Sequence, residues 1–221
     1  TNCELQDMRT WSFKNEGKPS SGINGRPTNY YQSPEKIWYM SNGFPSLITS
    51  FCISDDLQSL FKESDLRFKF YFSNRDRRGN LWEDGRYRYL QNLDYSFGVP
   101  EMMLIEAESL ARNNDSKALD ILNAIRQKRF SEADYQPLTT ADGASLLDIV
   151  LAERRRELCL NSLRWLDMKR LGAEGKYTKT LTRTLNDKTH TLEPNSKLYV
   201  FPIPAQVLGL NHKIMPNDRK Q

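Results

Sequence analysis

SLLDIVLAERRRELCLNSLRWLDMKRLG, residues 145–172, reads as one long charged helix. Leu147, Val150, Leu151, Leu158, Trp165 and Met168 recur at helical spacing and predict the buried stripe. The polar positions interleave both signs: Glu153, Arg154, Arg155, Arg156 and Glu157, then Arg164, Asp167, Lys169 and Arg170. Charges three or four residues apart on a helix are neighbours, so Glu153, Glu157, Asp167 and Arg170 can each find a partner. Two readings compete: an anion or nucleic-acid face, or a salt-bridged, partly buried helix with Trp165 in the core. Acids placed among the bases favour the second.

Upstream, the helical period continues. Pro100 suits a first helical turn, and Met103, Leu104, Ala107, Leu110 and Ala111 form one stripe. Asn113-Asn114-Asp115 breaks it. Ala118, Leu119, Ile121, Leu122 and Ile125 then mark a second helix ending near Arg129. Two helices joined by a short turn predict an antiparallel pair, and the alanines permit the close approach of a tetratricopeptide-type unit. Solenoid logic requires further such pairs. Residues 131–143 read as a loop. Beyond Gly172 the chain turns polar and extended; Leu198 to Phe201 reads as a short strand, and Pro202 and Pro204 forbid a helix there.

The first 50 residues combine loop composition with many rings: Trp11, Phe13, Tyr30, Tyr31, Trp38, Tyr39 and Phe44. That combination predicts ordered loops pinned to a body. Residues 54–63, SDDLQSLFKE, predict a short helix with Ser54 as N-cap and acids in its first turn. Residues 67–72, RFKFYF, alternate, as do residues 86–93, RYRYLQNL, which predicts a β-hairpin. The intervening Asn74-Arg-Asp-Arg-Arg-Gly-Asn80 only faintly echoes a calcium loop: Arg78 stands at a ligand position and Gly85 where a bidentate Glu belongs, so it reads as a hairpin turn.

Composition bounds the class. The chain of 221 residues is 38% hydrophobic and 27% charged, which is globular. Its net charge of +4 arises from 32 basic against 28 acidic residues, spread along the chain, and does not point to nucleic acid. Cys3, Cys52 and Cys159 form neither a disulfide framework nor a zinc site. No basic and apolar leader precedes Cys3 to direct its lipidation, and no apolar run reaches transmembrane length. GxSxG, HExxH, phosphate-loop and dinucleotide fingerprints are absent, and His190 and His212 are the only histidines. No cofactor, metal or catalytic group is expected.

Four segments, in order, resemble the SusD/RagB family. They are Asp65-Leu-Arg67 with Tyr71-Phe72; Glu101 to Ala111 with Leu122-Asn-Ala-Ile-Arg126; Glu153-Arg-Arg-Arg-Glu-Leu158 with Arg164-Trp-x-Asp-x-Lys-Arg170; and Phe201-Pro-Ile-Pro204 with Asn211. Two features depart from the family: Asn161-Ser162 stands where a Glu-Gly pair is usual, and residues 211–217 keep only the outline of an Asn-Pro-Gly-Tyr ending. The resemblance implies a mainly α protein of the α/α superhelix type. It would comprise a tetratricopeptide-like helix pair, the long charged helix, a small β-hairpin and long ordered loops. Aromatic loops and hairpin would occupy residues 1–99, the helical core 100–172, and an extended segment 173–221. A signal peptide, a lipid-anchor cysteine and an N-terminal helical half would lie upstream of Thr1, making this a C-terminal half. The implied function is cell-surface capture of an oligosaccharide at the bacterial outer membrane, for delivery to a SusC-like TonB-dependent transporter. The motif residues Glu153, Arg154, Glu157, Arg164, Trp165 and Asp167 would be structural. Rings able to stack on a pyranose face are the candidate ligand contacts: Trp11, Tyr30, Tyr31, Trp38, Trp82 and Tyr87, with Tyr39 and Tyr89 behind them. A protein-docking module and a peptide-binding RagB-like protein remain the alternatives.

Overall fold

The computed structural model describes residues 3–27, 33–40, 51–90, 95–140, 144–159 and 161–219. The chain folds as two compact units, Thr1–Ser162 and Leu163–Gln221. It is mainly α; among the described residues the strands pair as two-stranded sheets.

In the first unit, short pairings tie the described parts of the aromatic loops, residues 28–32 and 41–50 lying outside them. β1 (Ser12–Phe13) pairs with β2 (Ile23–Asn24). β3 (Lys36–Trp38) reaches forward to residues Phe97 and Gly98. The short helix α1 (Asp55–Gln58) begins as the sequence predicts, the Ser54 side chain accepting from the Leu57 amide at 3.2 Å.

The expected strand at residues 67–72 is instead a helix, α2 (Leu66–Tyr71). Asp65 caps it, accepting from the Arg67 amide at 3.0 Å. The alternating phenylalanines mislead because α2 is buried on two sides. Phe70 packs with Met8 and Trp11, whereas Phe68 and Phe72, four residues apart, join Ile53, Leu57, Phe61, Tyr87 and Tyr89. Of the expected hairpin, β4 (Phe72–Ser73) and β5 (Arg88–Tyr89) are present, paired Phe72 to Tyr89 and Ser73 to Arg88; residues 91–93 of its second strand lie outside the described residues. β6 (Phe97–Gly98) then leads into the helices.

The helical hairpin is α3 (Val99–Arg112) and α4 (Lys117–Gln127), both packed on α5 (Leu146–Glu157). Leu104, Ala107, Ala111, Ala118, Leu122, Ile125 and Val150 meet in its core, none more than 2% exposed. The alanines hold the axes close; burying the larger side chains stabilises by about 1.5–3 kcal/mol each.

A second correction concerns residues 145–172. They form two helices, α5 and α6 (Arg164–Ala173). The break falls where Ser162 takes φ +57°, a left-handed conformation that no helix can continue through.

The second unit contains α6, a hairpin and a C-terminal turn. β7 (Leu181–Leu185) and β8 (Lys188–Leu192) pair in full register inside the segment expected to be merely extended. The strand expected at 198–201 is a 3-10 turn at Lys197–Tyr199. The prolines do exclude a helix through 202–204, but α7 (Ala205–Leu210) starts directly after Pro204. Trp165 is half-buried rather than central: its ring lies 4.8 Å from Tyr199 and 5.4 Å from Phe201, and its Nε1 donates to the Tyr199 carbonyl at 3.0 Å.

Candidate functional site

The segment between β4 and β5 is a built turn. The Trp82 amide donates to the Asn74 carbonyl at 2.9 Å and the Asp76 amide to the Asn80 carbonyl at 2.8 Å. The Asp76 carboxylate accepts from the amides of Arg78 and Asn80 at 2.8 and 2.9 Å. Burial would raise its pKa, and those amides hold it below the ordinary value instead. Gly79, at φ +94°, is needed here: a Cβ would stand 2.5 Å from the Gly17 carbonyl oxygen. The arginine-bearing turn is therefore pressed against the N-terminal loop.

Between turn and strands lies a cavity of about 240 Å³, lined by Ser20, Ser73, Arg75, Asp76, Arg77, Arg78, Trp82, Arg88, Tyr89 and Leu90. Trp82 and Tyr89 supply its rings. The Arg88 guanidinium lies 4.1 Å from the centre of the Trp82 ring, so one indole face is covered. Arg88 is itself held by Asp84 through bonds of 3.0 and 2.8 Å, and the Arg88 bond in turn keeps the Asp84 pKa low. Trp82 Nε1 is buried and meets no acceptor among the described residues. Burial pushes the Tyr89 phenol up to about 12, so it stays a neutral hydrogen-bonding group. An apolar ring wall, a free indole donor and several guanidiniums can grip a polyhydroxylated ring without doing chemistry on it.

The other candidate rings are dispersed. Trp11 is 8% exposed and packs against Phe70 at 5.5 Å, so it serves the core and offers no sugar face. Tyr87 is half-buried with its ring 4.8 Å from Phe68; it borders a separate hollow of about 400 Å³ beside Phe61 and Glu63. Trp38 is 57% exposed on β3 and does not line the Trp82 cavity. Tyr30 and Tyr31 lie outside the described residues. The sequence reading missed the arginines, having treated residues 74–80 as a plain turn. The available signal was an arginine-rich turn followed at once by a tryptophan.

The charged motif faces inward. Arg67 and Arg129 are both fully buried. Arg67 reaches Asp65, Glu153 and Glu157 at 2.7, 2.7 and 2.8 Å. Arg129 reaches Glu157 and Glu35, both at 2.7 Å. Burial raises the pKa of Glu153, but Arg67, Arg156 and Arg126 outweigh it and hold the carboxyl well below the usual range. Arg129 and Arg67 do the same for Glu157. In the second unit, Asp167 is buried and accepts from Arg170 Nε at 2.9 Å, and Arg164 lies over the Tyr177 ring at 4.9 Å. Among the described residues no group of His, Cys, Asp and Glu is placed to hold a metal ion, and no helix is long and apolar enough to cross a membrane.

Comparison with known proteins agrees with this architecture. The model of the SusD family matches residues 92–218. SusD-like protein P2 of Formosa agariphila is 29% identical over 127 residues, covering 53% of this chain and 24% of that protein. Among solved structures, surface glycan-binding protein A from Bacteroides uniformis superposes with a TM-score of 0.59 at 18% identity, over 95% of this chain and 54% of that one. A SusD-like carbohydrate binding protein from Bacteroides vulgatus gives 0.53 at 18% identity, over 95% and 51%. At such identity the likeness establishes the fold. The chain spans a quarter to a half of the relatives' length.

Proposed function

The chain belongs to the SusD family, and on that premise we propose that it is part of a cell-surface glycan-binding lipoprotein. It captures oligosaccharide at the outer membrane and passes it to a SusC-like TonB-dependent transporter. The membrane attachment would be a lipid anchor outside these residues. Two structural neighbours are glycan- or carbohydrate-binding proteins, which supports the ligand class. The observation that carries the reading is the Trp82–Tyr89 cavity: half-buried rings, a buried indole N–H without a partner, and guanidiniums at its rim. The role is binding, not catalysis.

The test is intrinsic tryptophan fluorescence during titration with a panel of oligosaccharides, followed by peptides. Saturable binding to a glycan, weakened about tenfold or more in Trp82→Ala with an unchanged circular dichroism spectrum, is the expected result; losing a ring contact and a hydrogen bond accounts for that magnitude. Equal affinity in the variant would remove Trp82 from the site. Binding confined to peptides would favour a RagB-like ligand. Silence on both panels would favour a docking role, the second reading. That reading draws on the exposed apolar side chains Phe201, Leu210 and Met215, which are 71%, 88% and 79% exposed.

A further inference from the structure

We infer that the Trp82 cavity selects an anionic sugar unit, one bearing a carboxylate or a sulfate; the inference rests on the glycan-binding reading and names the ligand class of that same site. Four arginines, Arg75, Arg77, Arg78 and Arg88, line one cavity of about 240 Å³. The single acid among the lining residues, Asp76, is oriented by the amides of its own turn and keeps its charge, so with Asp84 two carboxylates face four guanidiniums and the cavity stays net positive. Arg88 is neutralised by Asp84. Arg75 donates from Nη1 to the Gly79 carbonyl at 2.8 Å, a bond that fixes its direction without cancelling its charge. Among the described residues, Arg75, Arg77 and Arg78 take part in no ion pair, whereas the neighbouring Lys69, Arg86 and Arg88 each do. Elsewhere in this unit the inward-facing arginines Arg67, Arg126 and Arg129 are all matched by acids. Positive charge that no ion pair cancels is thus gathered beside Trp82 and Tyr89 in this cavity.

A neutral glycan gives such a cluster nothing to neutralise. A uronate or sulfate presents planar or tripodal oxygens that guanidinium forks bind in pairs, with bonds roughly twice as strong as neutral ones. The Trp82 indole offers an apolar wall to the sugar C–H groups. The volume falls below the ~300–1,000 Å³ of pockets that hold larger ligands, which suits one charged residue of a longer chain.

The experiment is calorimetric titration of this chain with three size-matched ligands: a uronate-bearing tetrasaccharide, a sulfated tetrasaccharide and a neutral one. Each is repeated at raised salt and with the double variant Arg77→Gln/Arg78→Gln. Both arginines are exposed, so the fold is not at stake. The expected result is binding of one or both charged ligands, weakened by salt and by about tenfold or more in the double variant. The two charged arms decide between carboxylate and sulfate. Tighter binding of the neutral tetrasaccharide, or affinity unchanged in the double variant, overturns the anionic inference and leaves glycan binding standing. No binding in any arm overturns both.

Discussion

Ser162, in the turn between α5 and α6, takes a left-handed conformation, φ +57°, that its Cβ opposes. Such a conformation costs an L-residue about 1–2 kcal/mol. A glycine there has no such cost but loses about 0.5–1 kcal/mol through its freer unfolded chain. The position is solvent-exposed, so burial does not enter. Ser162→Gly should therefore stabilise by up to about 1 kcal/mol, and Ser162→Val, whose branched Cβ tolerates the region worst, should destabilise by about 1–2 kcal/mol. Urea denaturation followed by circular dichroism checks the order Gly, Ser, Val; a flat series would mean that this turn does not persist in solution. The resemblance places a glycine at this position in relatives, yet the sequence reads as one continuous helix across the break. Periodicity could not show it, because Leu158, Trp165 and Met168 keep the helical rhythm across the break.

At the scale of elements, pattern succeeded where one face is buried and failed where two are. The α3 and α4 stripes were read correctly because Leu104, Ala107, Leu122 and Ile125 all face one core. α2 was misread because its aromatics enter two clusters, and a short apolar run serves strand and helix equally. The β7–β8 hairpin was missed although its chemistry is local. Asn186 and Asp187 take φ +47° and +60°, the type I′ turn that suits two-residue hairpin loops. Asp187→Gly, giving the favoured Asn-Gly pair, should stabilise this hairpin by about 0.5–1 kcal/mol, measured as slower amide hydrogen exchange at Thr182 to Thr191 with no change in α5. Faster exchange would indicate that Asp187 does more than turn the chain. The candidate site was legible in part. Trp82 stood out in the sequence, but Arg75, Arg77 and Arg78 become a cavity wall only once the turn folds back over β4 and β5.

On the scale of the first unit, the core is held by charge as well as by apolar packing. The helix spacing of Glu153 and Glu157 was visible, but their main partner was not: Arg67 lies 86 and 90 residues away in sequence. Removing one member of such a network leaves the others buried and unbalanced, at a cost of about 3–5 kcal/mol. Glu157→Gln takes an ion pair from Arg67 and Arg129 at once but leaves Asp65 and Glu153 on the one and Glu35 on the other, so about 3 kcal/mol, the low end of that range, is expected at pH 7. The pH dependence follows from the sign of the shift. The folded pKa of Glu157 is depressed relative to about 4.3 in an unfolded chain. Its ionic contribution is therefore fully present above that value and is lost as pH falls below it, toward the folded pKa. The same holds for Glu153. The protein should lose stability progressively below about pH 4, and the gap between it and Glu157→Gln should narrow over the same range. Urea midpoints of both proteins at pH 7 and at about pH 3 measure this. A gap that stays constant with pH would mean that Glu157 stabilises the core through shape and hydrogen bonding rather than through its charge.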